Sequence, residues 1–328
     1  MTPILDRARE IAESVLWPDD AGVDLADRIP AGHLDLLADQ GFYGLSTELE
    51  LAEFARVVEI LASGCLATAF VWLQHHGAVR TVAGSDRPGM AERWLEPLLR
   101  GQQRAGVAQA GVLPGPARVR ARRVDGGYLF SGESPWVTGW DLIDVLHTAA
   151  RGDSDAGETV IWALVDAVTG PTLTVEPLDL VAVAASRTVL VRLADHFVPD
   201  ERVTGTVPFA AWPAIDAGGL RINGSLALGV VDRCARLTGP GPLAGDLDAC
   251  RAALDAGTAE VMPSRRAAAS ALATRAAAGL AVATGSGSVL RGSHPERLTR
   301  EALFLQVFAS RPAIRAALLG DYIGVPKS

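Results

Sequence analysis

The sequence predicts an α+β protein in three successive parts: a helical domain, a central β-domain and a C-terminal helical bundle. Three observations carry this expectation. Apolar residues recur at helical spacing up to about Gly101 and again from about Ala211 onward. Between about Arg104 and Thr206 the spacing changes to two, as in half-buried strands. Strands do not alternate with helices, and no Gly-x-Gly-x-x-Gly follows a strand, which argues against a doubly wound dinucleotide-binding sheet. The expected domains are residues 1–103, 104–206 and 207–328.

In the first domain, Leu5, Ala8, Ala12, Val15 and Leu16 form one apolar stripe. Ala31–Gln40 reads as a helix stopped by Gly41, and Leu51, Phe54, Val58 and Leu61 mark another running to Gly64. The run from Leu66 to His76 is apolar nearly all round, so it is expected at the domain's centre. Pro88–Leu99 reads as a short amphipathic helix ending at Gly101.

The middle domain is the alternating stretch from Arg104 to about Thr206. Val119–Val124 and Tyr128–Ser131 flank Asp125-Gly126-Gly127 as a hairpin. Further strands are expected at Leu142–Leu146, Thr159–Val165, Thr172–Val175, Thr188–Leu193 and His196–Pro199, enough for a small barrel or a two-layer sheet. In the last domain Leu226, Leu228, Val230 and Val231 mark a helix that stops before Gly239-Pro240-Gly241-Pro242. Ser264–Ala283 is an Ala-rich helix suited to close packing, and Pro312–Asp321 reads as the last helix.

The chain has 328 residues, 49% of them hydrophobic, with a mean hydropathy of +0.22. No run of about eighteen apolar residues free of charge is present, so no membrane span is expected. Charges crowd the first twenty residues, which is unlike a secretory signal. A formal charge of −8 argues against a nucleic-acid surface. Cys65, Cys234 and Cys250 are widely spaced and lack metal-type spacing; they read as reduced thiols of a cytoplasmic protein.

The stretch Gly132-Glu133-Ser134-Pro135-Trp136-Val137-Thr138-Gly139-Trp140 lies inside the alternating region. It resembles the Gly-x-Lys-x-Trp-Ile-Thr-Gly segment of the acyl-CoA dehydrogenase family. Trp94–Gly101 resembles that family's Trp-Leu-Pro-x-Leu-x-x-Gly helix end, and Pro295–Ala302 its Pro-x-x-Arg-x-x-Arg-Asp-Ala segment. Gly285-Ser286-Gly287 stands where the family has Gly-Gly-x-Gly. The motifs fall in the family's order over almost the whole chain, so the resemblance implies an acyl-CoA dehydrogenase-like fold.

It also implies FAD as cofactor, with Trp136 packed on the flavin ring and Thr138 beside it. Both residues read equally well as ordinary members of a sheet core. The strand carrying the other flavin contacts corresponds to Ala105–Gly115, so Val107 and Gln109 are the remaining candidates, through their main chain. The family's hydroxyl and carboxylate are here Ala108 and Gln109.

A base for the α-proton of an acyl thioester is expected from a carboxylate. At the family's usual place stands Ala309, and at the alternative place on the helix opening the last domain stands Gly219. Glu301 takes the place of a structural acid. His76 is the substitute candidate; the competing reading for both His75 and His76 is helix-end residues bonded to carbonyls. The family's phosphate-holding arm is missing after Arg236.

Three functions remain open: a flavin-dependent oxidoreductase with a remodelled site, a non-catalytic or half-site subunit beside a base-bearing homologue, and a flavin monooxygenase. The expected partners are an acyl thioester or related small molecule and further copies of the chain in a dimer or tetramer.

Overall fold

The computed structural model describes residues 2–154, 157–239, 241 and 243–324. Pro240 and Pro242, part of the expected helix stop, lie outside them. The N-terminal part comprises α1 (Pro3–Ile11), α2 (Trp17–Leu25), α3 (Ala31–Asp39), α4 (Leu45–Glu48), α5 (Leu51–Gly64), α6 (Leu66–Gln74), α7 (His76–Ala83) and α8 (Met90–Leu99). A π-helical turn, Ala12–Leu16, joins α1 to α2 and buries Ala12 and Leu16. The expected helix from Leu66 to His76 divides at His75, and α7 continues beyond it.

Eight strands follow: β1 (Ala105–Ala108), β2 (Val119–Val124), β3 (Gly127–Val137), β4 (Val145–Ser154), β5 (Gly157–Asp166), β6 (Leu173–Pro177), β7 (Val189–Pro199) and β8 (Val203–Pro208). They form one mixed sheet in the order β6-β7-β3-β2-β4-β5-β8, with β1 added parallel to β4. The expected hairpin is present, with Val119 opposite Gly132 and Val124 opposite Gly127. Two expected strands, at 188–193 and 196–199, are one strand. Asp195 takes a positive φ of 47° within it, and the register against β3 shifts between Phe130 and Gly132. Leu142–Asp144, expected to begin a strand, is a turn closed by the Leu142 N–H on the Gly139 carbonyl at 2.8 Å; pairing starts only at Val145.

The C-terminal part holds α9 (Trp212–Thr238), α10 (Leu243–Asp255), α11 (Met262–Thr284), α12 (His294–Val307) and α13 (Pro312–Ile323). The sequence reading missed α10, although Leu243, Leu247, Cys250 and Leu254 fall on one helical face and Leu247 and Leu254 are buried. In α11, Ala267, Ala269, Ala273, Ala276 and Ala277 are buried inside the bundle. The segment Met262–Val289 is long and apolar enough to cross a bilayer by length and composition, contrary to the sequence expectation. In the fold it is a bundle helix, with Arg266 buried on its inner face. The principal apolar core joins α5, α6, α9, α11 and α12, while a second lies within the sheet.

Candidate functional site

The stretch around Trp136 lies at the end of β3, where the sheet meets α6. Gly139 has a φ of 89°, and a Cβ there would stand 3.0 Å from Ile143 and 3.2 Å from Val71 of α6. A side chain at that position would therefore be both strained and crowded. Gly106 of β1 lies equally close: its Cβ would be 3.1 Å from the Thr138 carbonyl oxygen. The fold thus brings β1 alongside the Trp136–Gly139 segment.

Within that segment the two side chains differ sharply. Trp136 is 66% exposed and holds a φ of 64°. A bulky residue in the left-handed region is a genuine outlier, of the kind that clusters at ligand sites. Thr138 is buried, its hydroxyl 2.8 Å from that of Thr188, which in turn meets the Ser186 hydroxyl at 2.8 Å. Its side chain is occupied by the protein, so only its main chain is left to meet a ligand. Val107 packs with Val112, Trp162, Phe209 and Trp212. Gln109 directly follows β1 and is half-buried.

The loop after β1 is pinned by a residue that sequence reasoning overlooked. The buried Arg151 of β4 donates to the carbonyls of Gly111 (3.1 Å), Leu113 (2.5 Å) and Gly115 (2.9 Å), and its guanidinium lies 3.6 Å from the centre of the Phe209 ring. An arginine embedded in a strand carries no periodic signal that would mark it.

His75 and His76 part company. His75 Nδ1 accepts the Ala105 N–H at 3.0 Å and Nε2 donates to the Leu98 carbonyl at 3.0 Å. Burial holds its pKa down at about 3, so it is a neutral pin between α8 and β1. His76 is also buried, and burial lowers its pKa well below the ordinary value. Among the described residues neither of its ring nitrogens has a partner. Its ring neighbours are Phe54, Trp72 and His75, and none belongs to the Trp136 segment or to the loop after α12.

That loop, Phe308–Arg311, carries Ala309 at a φ of 51°. Phe308 meets Phe70 of α6 edge-on, with ring centres 4.9 Å apart, and stacks on Phe304. Arg311 closes a bidentate ion pair with Asp216 of α9, Nε to Oδ2 at 2.7 Å and Nη2 to Oδ1 at 2.9 Å. Asp216 lies 95 residues from Arg311 along the chain, and the sequence alone does not point to it. Glu301 stands elsewhere: it is buried beside Arg297 (3.4 Å), which also pairs with Asp20 at 2.5 Å.

On the other face of α9, Ala217, Gly218 and Arg221 line a cavity of about 340 Å³ together with Glu50, Asp255 and Met262. The buried Arg221 is held there by Asp255, with Nε to Oδ1 at 2.8 Å. α9 ends at Thr238, followed by Gly239 at a φ of 85°.

Comparison with solved structures gives the fold its name. Butyryl-CoA dehydrogenase from Megasphaera elsdenii superposes with a TM-score of 0.83 over 98% of each chain, at 16% identity. Curated sequences agree: benzylmalonyl-CoA dehydrogenase of Aromatoleum aromaticum is 27% identical over 210 residues, 60% of this chain and 55% of that one. The chain has the acyl-CoA dehydrogenase fold, and its sequence is similar to acyl-CoA dehydrogenases. The 2-methylacyl-CoA dehydrogenase of Solanum tuberosum is 28% identical over 149 residues, 44% of this chain and 36% of its own length. The matches thus span from about a third to about half of these curated relatives. No protein-family model matches the chain.

Proposed function

We propose that the chain is a flavin-dependent oxidoreductase acting on acyl thioesters, with FAD seated against β1 and the Trp136–Gly139 segment. The observation that carries this reading is Trp136, a large indole kept two-thirds exposed on a left-handed backbone next to β1. An aromatic side chain held out in this way fits a flat ring system. The main chain at Val107, Gln109 and Thr138 would hold the ring's polar edge by fixed donors, which need no reorganisation when charge develops. FAD, when bound, supplies the two-electron acceptor. The protein's own part is to seat the ring, exclude water and take the substrate's proton. The kind of reaction is in line with the names of the relatives, which are acyl-CoA dehydrogenases.

The test is anaerobic mixing of the FAD-loaded chain with saturated acyl-CoAs of increasing length, followed by flavin absorbance. Bleaching with at least one of them is expected. A second reading, a half-site subunit beside a base-bearing homologue, is favoured by Ala309 and Gly219; absence of bleaching with every acyl-CoA would support it instead. We also propose that copies of the chain associate through the Ala-rich helix α11, where Val282 is left 83% exposed. Light scattering should then give a multiple of 34.3 kDa, and a mass equal to 34.3 kDa would refute the association.

A further inference from the structure

The Asp216–Arg311 pair joins the two places at which an acid was expected. Arg311 lies two residues beyond Ala309, and Asp216 lies three residues before Gly219, one helical turn away on α9. A Cβ at Gly219 would meet Asp216 Oδ1 at 4.0 Å and, apart from the helix's own backbone, nothing nearer. The carboxylate therefore borders open space on the α9 face. Its side chain is 14% exposed and that of Arg311 15%, so the pair is shielded without being closed off.

An ionised carboxylate offers about four lone-pair directions. The bidentate guanidinium uses two, and among the described residues Asp216 has no further hydrogen-bond partner. The remaining directions are free, while the fork of Arg311 fixes the plane of the carboxylate as a mobile lysine could not.

We propose that Asp216 is the proton acceptor of this site and that Arg311 is its positioning residue. The assignment rests on the acyl-thioester reading above. In the step, the α-carbon–hydrogen bond of the thioester breaks and the proton moves to a carboxylate oxygen of Asp216. The electron pair stays on the acyl group, delocalised into the thioester carbonyl. In the absence of an oxidant the proton returns and nothing is consumed. FAD, when bound, would supply the acceptor for the hydride that leaves the β-carbon as the double bond forms.

Reversible proton removal exchanges the α-hydrogens with solvent and needs no electron acceptor. The experiment therefore incubates butyryl-CoA with the full chain in D2O, with and without added FAD, and reads deuterium at the α-carbon by mass spectrometry. Exchange is expected in the wild type, and Asp216→Asn should lose it by about a hundredfold or more. Asp216→Glu should keep part of it, and Arg311→Met should lose less than Asp216→Asn because the acceptor remains.

Melting temperatures of all variants separate folding from chemistry. The assignment is overturned if the wild type exchanges nothing under either condition, or if Asp216→Asn exchanges like wild type. It is also overturned if Asp216→Asn and Arg311→Met lose exchange equally and in step with their melting temperatures, as a purely structural ion pair would. Asp216-dependent exchange in a chain that binds no FAD would uphold the assignment and refute the flavin reading, so the two fail separately.

Discussion

Gly139 shows how one backbone position fixes the geometry around Trp136. Its φ of 89° and its closeness to Ile143 and Val71 leave no room for a side chain. Gly139→Ala should cost roughly 1–3 kcal/mol by strain alone. Chemical denaturation should show that loss together with weaker FAD binding; wild-type stability in the variant would contradict the account. The Trp-Val-Thr-Gly pattern at the close of an alternating run is visible in the sequence, but the crowding at Gly139 exists only in the folded chain. Asp216 was not legible, since its partner is 95 residues distant and a single acid on a helix reads as a solvated one. Arg151 escaped for a related reason: its three carbonyl acceptors belong to an irregular loop, and their convergence exists only in the folded chain.

Among the elements, α6, α7 and β4 share a set of buried imidazoles with a consequence for pH. Burial holds His75 and His147 at about 3 and pushes His76 well below its ordinary value, whereas an unfolded histidine titrates near 6.5. With the folded pKa depressed, their contribution is present above about 6.5 and is lost as pH falls toward 3. For His75 and His147, full titration of each imidazole is worth on the order of 5 kcal/mol. Asp20 and Glu301 act in the opposite sense. Burial raises both, so their contribution is present at low pH and is lost as pH rises through their folded values. The melting temperature should fall on acidification from pH 6.5 to 4, less steeply in His147→Gln than in wild type. Equal slopes would show that His147 is not titrating with unfolding.

Helices and strands with strong periodicity were read correctly, as for α5, α11 and the β2–β3 hairpin. What escaped were joints and short pieces. α7 follows a single interrupting residue, His75, whose ring is claimed by Leu98 and Ala105 from distant segments. β7 continues through Asp195 by a bulge of its own, Ala194 and Asp195 standing against the single Ser131 of β3, a pairing that no local pattern encodes.

On the scale of the whole molecule, the helix–sheet–helix order places the end of β3, the start of α9 and the loop after α12 around α6. The fold follows from that order and from the superposition. The resemblance implies a phosphate-holding arm after Arg236, where α9 instead ends at Thr238. Losing a charge-assisted phosphate contact weakens affinity by about tenfold to a hundredfold, so FAD is expected to bind reversibly rather than to stay through purification. The most direct test of the central claim is therefore equilibrium titration of the purified chain with FAD, following flavin fluorescence in wild type and in Trp136→Ala. The account predicts saturable binding with quenched fluorescence in the wild type, and weaker binding or brighter bound flavin in the variant. Absence of saturable FAD binding in the wild type, or identical affinity and quenching in Trp136→Ala, would contradict it.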